Sequence, residues 1–536
     1  MKLGKPRILP LIITLILGIV IGTQIEKIFW GKSNGVEIEK LDDVLTYTEK
    51  YYVDNVDSRK LVDAGINGIL SKLDPHSVYL PADEIENIEE SSKGEFEGIG
   101  IEYQIINDTI TVVSAISGGP SDALGILPGD RIIKIEDKSA VGITSDGVSK
   151  KLRGSTGTKV NITIYRPSND KIINYQITRD KIPLYSVEAH LMFNDKTGYI
   201  GVSRFSETTY DELKNALNDL KNKGMKQLIL DLRGNPGGYL SQAVKISDLF
   251  IAGKKKIVYT RGRESEFDDD DYASQATDFE GIPLIVLVNN GSASASEIVS
   301  GAIQDLDRGL IVGETTFGKA LVQKQFELPD NSALRLTVAK YYTPSGRLIQ
   351  RDYKNLKDRN DYYSQPAERN EKEGDNLYHS EEKDTGRSVY KTISGRIVYG
   401  GGGITPDYIV KSGEITGYST ELLKNNIFYR FVLNYLDQKG KKIQTDYQNL
   451  DSFINNFIFT DDEITSFIKF AGSNGVKLNE ADFNKDRNYI LTRLKAQIAR
   501  NYWKNDGWYS VILSADNQML KAVTLFDEAR NLAKLK

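Results

Sequence analysis

The hydrophobic pattern of the chain changes its period several times. Residues Ile8 to Ile25 form an apolar run interrupted only by Pro10, glycines, two threonines and Gln24, and the basic residues Lys2, Lys5 and Arg7 precede it. From Gly35 to Lys93 apolar residues recur at helical spacing. Leu41, Val44, Leu45, Tyr51 and Tyr52 belong to one segment, and Leu61 to Leu73 form a second that Asp74-Pro75 stops. This stretch predicts a small helical module over 35–93. From Gly94 to Ile182 the pattern switches to short β-branched or alternating runs, such as Ile110-Thr-Val-Val and Val160-Asn-Ile-Thr-Ile-Tyr, with glycine turns between them. That predicts one compact strand-rich domain. Strand and helix signals then alternate from Gly198 to Pro344. Strands are expected at Gly198-Tyr-Ile-Gly-Val, Gln227-Leu-Ile-Leu-Asp-Leu, Leu284-Ile-Val-Leu-Val and Gly309-Leu-Ile-Val-Gly, with helices over 210–223, after Gly238 and from Ser294. Such alternation argues for an α/β layer structure. Beyond Gly417 amphipathic helices return as far as Lys536, which predicts a separate helical domain over 418–536.

The opening run exceeds the roughly 7–15 residues of a usual signal-peptide core, reaches the lower limit for a spanning helix and lacks a clear A-x-A site. It reads as a membrane anchor within residues 1–30, with a cleaved signal as the alternative. By the positive-inside rule its basic end stays in the cytoplasm, so the residues after Glu26 are expected outside it, in the periplasm or its equivalent.

Composition narrows the remaining choices. The chain has 536 residues, 40% of them hydrophobic and 27% charged, with a net charge of −5, so it holds several cores and offers no electrostatic case for binding nucleic acid. There is no cysteine, and His76, His190 and His379 lie far apart, which removes disulfides, thiolate chemistry and HExxH zinc sites. No metal or other cofactor is expected. The acidic run Asp268 to Asp271 reads as a solvated loop, because a calcium loop needs more widely spaced ligands and a glutamate. Asp352 to Gly386 is strongly polar and reads as a surface insertion.

Chemistry enters with Asn290-Gly-Ser-Ala-Ser-Ala-Ser-Glu-Ile298, which places three serines at alternate positions where a strand gives way to a helix. Ser294 fits the turn best. Ser294-x-x-Glu297 is a capping-box pattern, so residue 294 is expected at the N-cap beside the free N–H groups of Ala295 and Ser296, which could serve an oxyanion. Taken alone, the pattern describes an ordinary helix start. A serine nucleophile also needs a proton acceptor, and the α/β region contains no histidine. Lysine serves only when deprotonated, so desolvation has to bring its pKa down toward neutrality, at about 1.4 kcal/mol per unit. Lys319, within Gly313-Glu-Thr-Thr-Phe-Gly-Lys-Ala-Leu-Val-Gln323, follows a glycine and has apolar neighbours. The same stretch approaches the phosphate-binding G-x-x-x-x-G-K-[ST] loop. It fails because Ala320 replaces the hydroxyl residue and Leu321 to Leu328 alternates like a strand where that loop needs a helix.

Together, NGSASASEIVSGAIQD, the lysine 25 positions after Ser294, Gln323 four positions further on, and Asp231-Leu-Arg-Gly-Asn-Pro-Gly-Gly238 resemble the carboxy-terminal processing (tail-specific) protease family. Leu73-Asp-Pro-His-Ser77 and Gly395 to Pro406 belong to the same likeness, which spans roughly 41–410. It implies a crotonase-like α/β protease core over 183–410. Ser294 would be the nucleophile, Lys319 the base and Gln323 the holder of the lysine amine, with an oxyanion hole from Ala295 and either Gly237 or Gly238. Ala320 and Asn290 depart from glycines usual in the family. The resemblance also implies an inserted PDZ domain over 94–182, in which Gly98, Ile99, Gly100 and Ile101 hold a substrate's terminal carboxylate. Backbone donors in a glycine loop suit that task, while the tail adds as a strand. Arg153 is a weaker candidate for the same site.

The function so implied is an extracytoplasmic serine endopeptidase acting on proteins or peptides with free C-termini. The alternative is a catalytically dead, peptide-binding scaffold. The oligomeric state stays open, a homo-oligomer included.

Overall fold

The computed structural model describes residues 35–274, 276–354, 359–372 and 387–535. The apolar run Ile8 to Ile25 lies outside them. Among the described residues no helix is long and apolar enough to cross a membrane. The chain divides into two compact units with the boundary between Tyr79 and Leu80.

The first unit contains α1 (Gly35–Tyr51) and α2 (Ser58–Leu70). Asp57 caps α2 by accepting the Arg59 N–H at 3.1 Å. After the helix, the Asp74 carboxylate takes the N–H groups of His76 and Ser77 and the Ser77 hydroxyl, which closes the Asp-Pro turn on itself.

The second unit opens with α3 (Ala82–Lys93). This last helix of the stretch 35–93 groups with the larger unit. A strand-rich domain follows. Its sheet has the order β2 (Ile101–Ile106), β3 (Thr109–Ala115), β4 (Arg131–Ile135), β5 (Lys159–Arg166), β6 (Lys171–Thr178). It packs α4 (Ser145–Leu152) through Val148 and Leu152. A separate pair, β1 (Glu95–Gly98) with β7 (Asp180–Pro183), joins the two ends of this domain. Among the described residues no strand lies on the free side of β2.

The core is a sheet in the order β8 (Val187–Met192), β9 (Thr197–Val202), β10 (Gln227–Asp231), β13 (Leu284–Val288), β14 (Leu310–Gly313), β17 (Tyr408–Ile409). β8 runs antiparallel to β9, and the rest are parallel. Its middle strands carry the continuous apolar runs Leu228-Ile-Leu230 and Leu284 to Val288 because both faces are covered. Leu228, Leu230, Leu284 and Val286 face a core shared with α5 (Thr209–Asn222), α6 (Leu240–Asp248) and α7 (Ala295–Asp305). Ile229, Ile285 and Leu287 face the opposite way, onto Leu513, Met519, Ala522 and Phe526.

That second cover comes from α14 (Asn517–Val523) and α15 (Phe526–Leu532). The C-terminal region therefore serves two cores. Helices α9 (Gly417–Lys424), α10 (Ile427–Asp446), α11 (Leu450–Asn456), α12 (Asp461–Ser473) and most of α13 (Glu480–Leu513) enclose an aromatic core of their own, while the residues from Leu513 onward complete the α/β layers.

A second sheet, in the order β12 (Asp269–Tyr272), β11 (Lys256–Gly262), β16 (Ala333–Tyr342), β15 (Leu321–Glu327), lies beside the core. β12 corrects the expectation of a solvated loop at Asp268 to Asp271. Asp270 pairs with Lys256 at 3.3 Å and Arg261 at 3.0 Å, which neutralises the run enough for it to join the ladder. In the segment expected as a polar insertion, residues 359–372 form helix α8 (Arg359–Lys372), with Tyr362 fully buried.

Candidate active site

Three loops converge at the carboxyl ends of β10, β13 and β14. The first follows β13 and carries the serines. Ser292 and Ser296 are fully buried, and their hydroxyls donate to the carbonyls of Leu232 at 2.7 Å and Asn235 at 2.9 Å. Ser294 is only half-buried. It sits at φ 55°, ψ −112°, a conformation that a residue with a Cβ rarely adopts and that costs about 1–3 kcal/mol. A sharp strand-to-helix turn of this kind lifts the side chain clear of the sheet. Ser294 and Glu297 pair as a capping box in which the Glu297 carboxylate takes the Ser294 N–H at 2.8 Å. No acceptor among the described residues meets the Ala295 N–H.

The second loop follows β10. Asn235 anchors it by donating to the Val202 carbonyl and accepting the Ala293 N–H, which ties it to the serine turn. Gly237, at φ 99°, presses so close that a Cβ would stand 2.8 Å from the Ser294 Cβ and 2.9 Å from the Ala295 nitrogen, and a Cβ on Gly238 would overlap the Phe205 carbonyl. The Gly237 N–H is already given to Asn235 Oδ1 at 2.9 Å, whereas no acceptor among the described residues takes the Gly238 N–H.

The third loop follows β14. The half-buried Lys319 extends its amine to Gln323 Oε1 at 2.9 Å, and Gln323 lies on β15, the strand expected where a phosphate loop would need a helix. The buried Ala320 gives its N–H to Gln350 Oε1 at 2.8 Å.

Glu297 joins the serine and lysine loops. Fully buried, its carboxylate accepts the Thr316 hydroxyl and the Gly318 N–H, both at 2.6 Å, and the Lys319 N–H at 2.9 Å, besides the N–H of Ser294. Burial pushes its pKa above the ordinary carboxyl value, while these bonds pull the other way. Tyr341 makes a second bridge, its hydroxyl 2.7 Å from the Lys319 carbonyl and 3.1 Å from that of Ser294. Sequence reasoning recognised Glu297 only as a helix cap and did not find Tyr341. The capping pattern was the one available signal for Glu297.

Behind the glycine loop, Arg233 pairs with Asp231 and reaches Asp516 at 2.7 Å and Gln518 at 2.8 Å. These partners, charge-assisted and nearly buried, hold its pKa well up against desolvation.

In the strand-rich domain the carbonyl of Ile99 accepts from Ser121, and that of Gly100 accepts the Ile116 N–H at 3.0 Å. The N–H groups of Ile99 and Gly100 meet no acceptor among the described residues, and Ile101 begins the edge strand β2. Tyr103 reaches across from β2 to Ser145 at the start of α4. Arg153 has its backbone against Gly98, and its guanidinium pairs with Glu90 of α3 and stacks on Phe96, whose ring also lies against Gly98. Among the described residues, no cluster of side chains could hold a metal ion.

Residues 196–355 match Peptidase family S41, residues 98–177 the PDZ domain, residues 24–84 the activating protease CtpB N-terminal domain, and residues 418–504 a family of unknown function. A carboxy-terminal-processing protease of Bartonella bacilliformis is 41% identical over 320 residues, which are 59% of this chain and 73% of that protein. A probable CtpA-like serine protease of Staphylococcus aureus is 37% identical over 342 residues, 63% of this chain and 67% of that one. Among solved structures, the photosystem II D1 C-terminal processing protease aligns at 28% identity with a TM-score of 0.35, covering 59% of this chain and 85% of its own. The protein is thus a serine-type peptidase, with a PDZ domain set before an α/β core. It belongs to the carboxy-terminal-processing protease family.

Proposed function

We propose that Ser294 is the nucleophile and Lys319 the general base of an endopeptidase that cleaves proteins near their C-termini. The observation that carries the reading is the shared mounting of the two residues: one buried carboxylate, Glu297, takes the backbone N–H of both. Lys319 accepts the Ser294 proton as the hydroxyl oxygen attacks the scissile carbonyl. Gln323 orients the lysine amine from the far side. The oxyanion that forms is held by the N–H groups of Ala295 and Gly238, which have no other acceptor among the described residues, in place of the already committed Gly237. Collapse expels the amine leaving group, protonated by Lys319, and water then hydrolyses the acyl-enzyme by the same route.

The backbone donors of Ile99 and Gly100 bind the substrate's terminal carboxylate, and its tail pairs with the free edge of β2. The basic residues before Ile8 to Ile25 favour a membrane-held protein acting outside the cytoplasm on exported substrates.

Ser294→Ala and Lys319→Met are expected to fold and to cleave no test protein, and arginine at 319 is not expected to rescue the activity, because it stays charged. Wild-type cleavage by either the alanine or the methionine variant overturns the dyad. Equal cleavage of a substrate and its C-terminally amidated twin removes tail recognition. Failure of added protease to reach the chain in spheroplasts removes the topology.

A further inference from the structure

The hairpin of β15 and β16 carries a cation that the chemistry described so far does not use. In its ladder Gln323 faces Thr337 and Gln325 faces Arg335, so the four side chains share one face of the sheet. Gln323 turns that face toward the Lys319 amine. Arg335 therefore lies one two-residue step, about 7 Å, further along the same ledge. Tyr239, which directly follows the glycine loop, is close enough to act on its charge. The guanidinium thus shares the ledge of Gln323 and stands near the residue that follows the glycine loop.

Its surroundings are unusual for an arginine. It is half-buried, and its side-chain contact is a long one of 3.5 Å to Gln325 Oε1. Among the described residues, no carboxylate lies within ion-pair distance. Burial lowers its pKa, as expected for a cation whose water has been partly removed without a counter-charge. Elsewhere in this core, the more deeply buried Arg233 and Arg347 have acidic partners, and Arg308 donates to the carbonyls of Phe250, Phe279 and Ile282. A planar five-donor group kept partly dry and without a counter-charge beside a peptide-cleaving site is suited to a carboxylate that arrives with the substrate.

We infer that Arg335 is a specificity residue that recognises a substrate carboxylate about two residues from the scissile bond. The carboxylate is either an aspartate or glutamate side chain or the α-carboxylate of a short tail. The inference rests on the Ser294–Lys319 reading of the site and adds a preference to it.

The test uses the full chain and a peptide series in which one aspartate is moved through the three positions on each side of the cleaved bond. An all-neutral parent and a version ending two residues after the bond, with a free or amidated terminus, complete the series. At one position the acidic peptide should exceed the neutral parent in kcat/KM by roughly tenfold to a hundredfold, as a hydrogen-bonded charge pair provides. In Arg335→Gln the acid-to-neutral ratio should fall to about one, Arg335→Lys should recover part of it, and Arg335→Glu should favour lysine at the same position. Preference for an internal aspartate identifies a side-chain site, and preference confined to the free short tail identifies an α-carboxylate site. A wild-type enzyme with no acidic preference at any position, or an Arg335→Gln variant that slows every peptide by the same factor, overturns the inference in favour of a backbone contact. Cleavage of the neutral parent that depends on Ser294 leaves the dyad standing in either event.

Discussion

Replacement of Glu297 by glutamine isolates what the buried carboxylate does. The best fit of an amide keeps its oxygen where Oε2 takes the N–H groups of Ser294 and Lys319, and turns its NH2 toward Thr316, whose hydroxyl can accept. The Gly318 N–H, now bonded to Oε1 at 2.6 Å, is then left facing another donor. One orphaned buried N–H costs about 1–3 kcal/mol, so the variant should fold with a lower denaturation midpoint. Its effect on rate should be larger than that loss suggests. Gly318 immediately precedes the lysine, and a displacement of about 1 Å at a reacting group costs on the order of a hundredfold. The expected signature is a kcat reduced by about a hundredfold with KM nearly unchanged. Unfolding measured against pH gives a second readout. Because burial raises the Glu297 pKa, the folded chain holds the proton to higher pH than the unfolded chain does. The associated stability is full below the unfolded value and is lost as pH rises through the folded one. Glutamine should abolish that slope. A variant that loses the expected stability yet keeps wild-type kcat shows that Glu297 supports the fold without positioning the lysine.

Ser296→Ala removes one of the two donors to the Asn235 carbonyl, which keeps the Ala293 N–H, and should lower stability by about 0.5–1.5 kcal/mol while retaining measurable cleavage, and complete inactivity would challenge the choice of Ser294. Asp516→Asn keeps the helix cap on Met519 but sets an amide against Arg233, so thermal melting should shift downward and amide exchange over 513–532 should quicken. Unchanged exchange would mean that Arg233 does not hold this segment.

The local parts of this protein are legible in its sequence, and the long-range parts are not. The serine turn, the lysine and its glutamine stand within short windows, where strand-to-helix transitions and capping patterns have direct physical signatures. Glu297 shows the limit. Its bond to Ser294 is a three-residue pattern, but its bonds to Gly318 and Lys319 depend on how two loops meet in space. Tyr341 reaches the same loops from a strand of another sheet. The aspartates at 269–271 read as a loop because strand propensity disfavours them, and only the partner strand supplies Lys256 and Arg261. The continuous apolar runs of β10 and β13 did carry a hint, since a strand without polar alternation needs a layer on each face. Nothing in those runs indicates that the second layer comes from beyond Leu513.

That second layer also governs the order of assembly. The sheet that positions the catalytic loops has one face open until Met519, Ala522 and Phe526 arrive, and Arg233, behind the glycine loop, awaits Asp516 and Gln518. A chain synthesised from its first residue therefore releases Ser294 and Lys319 more than 180 residues before the segment that closes the layer beneath them. During that interval the central sheet lacks the cover on one face that residues 513–532 bring.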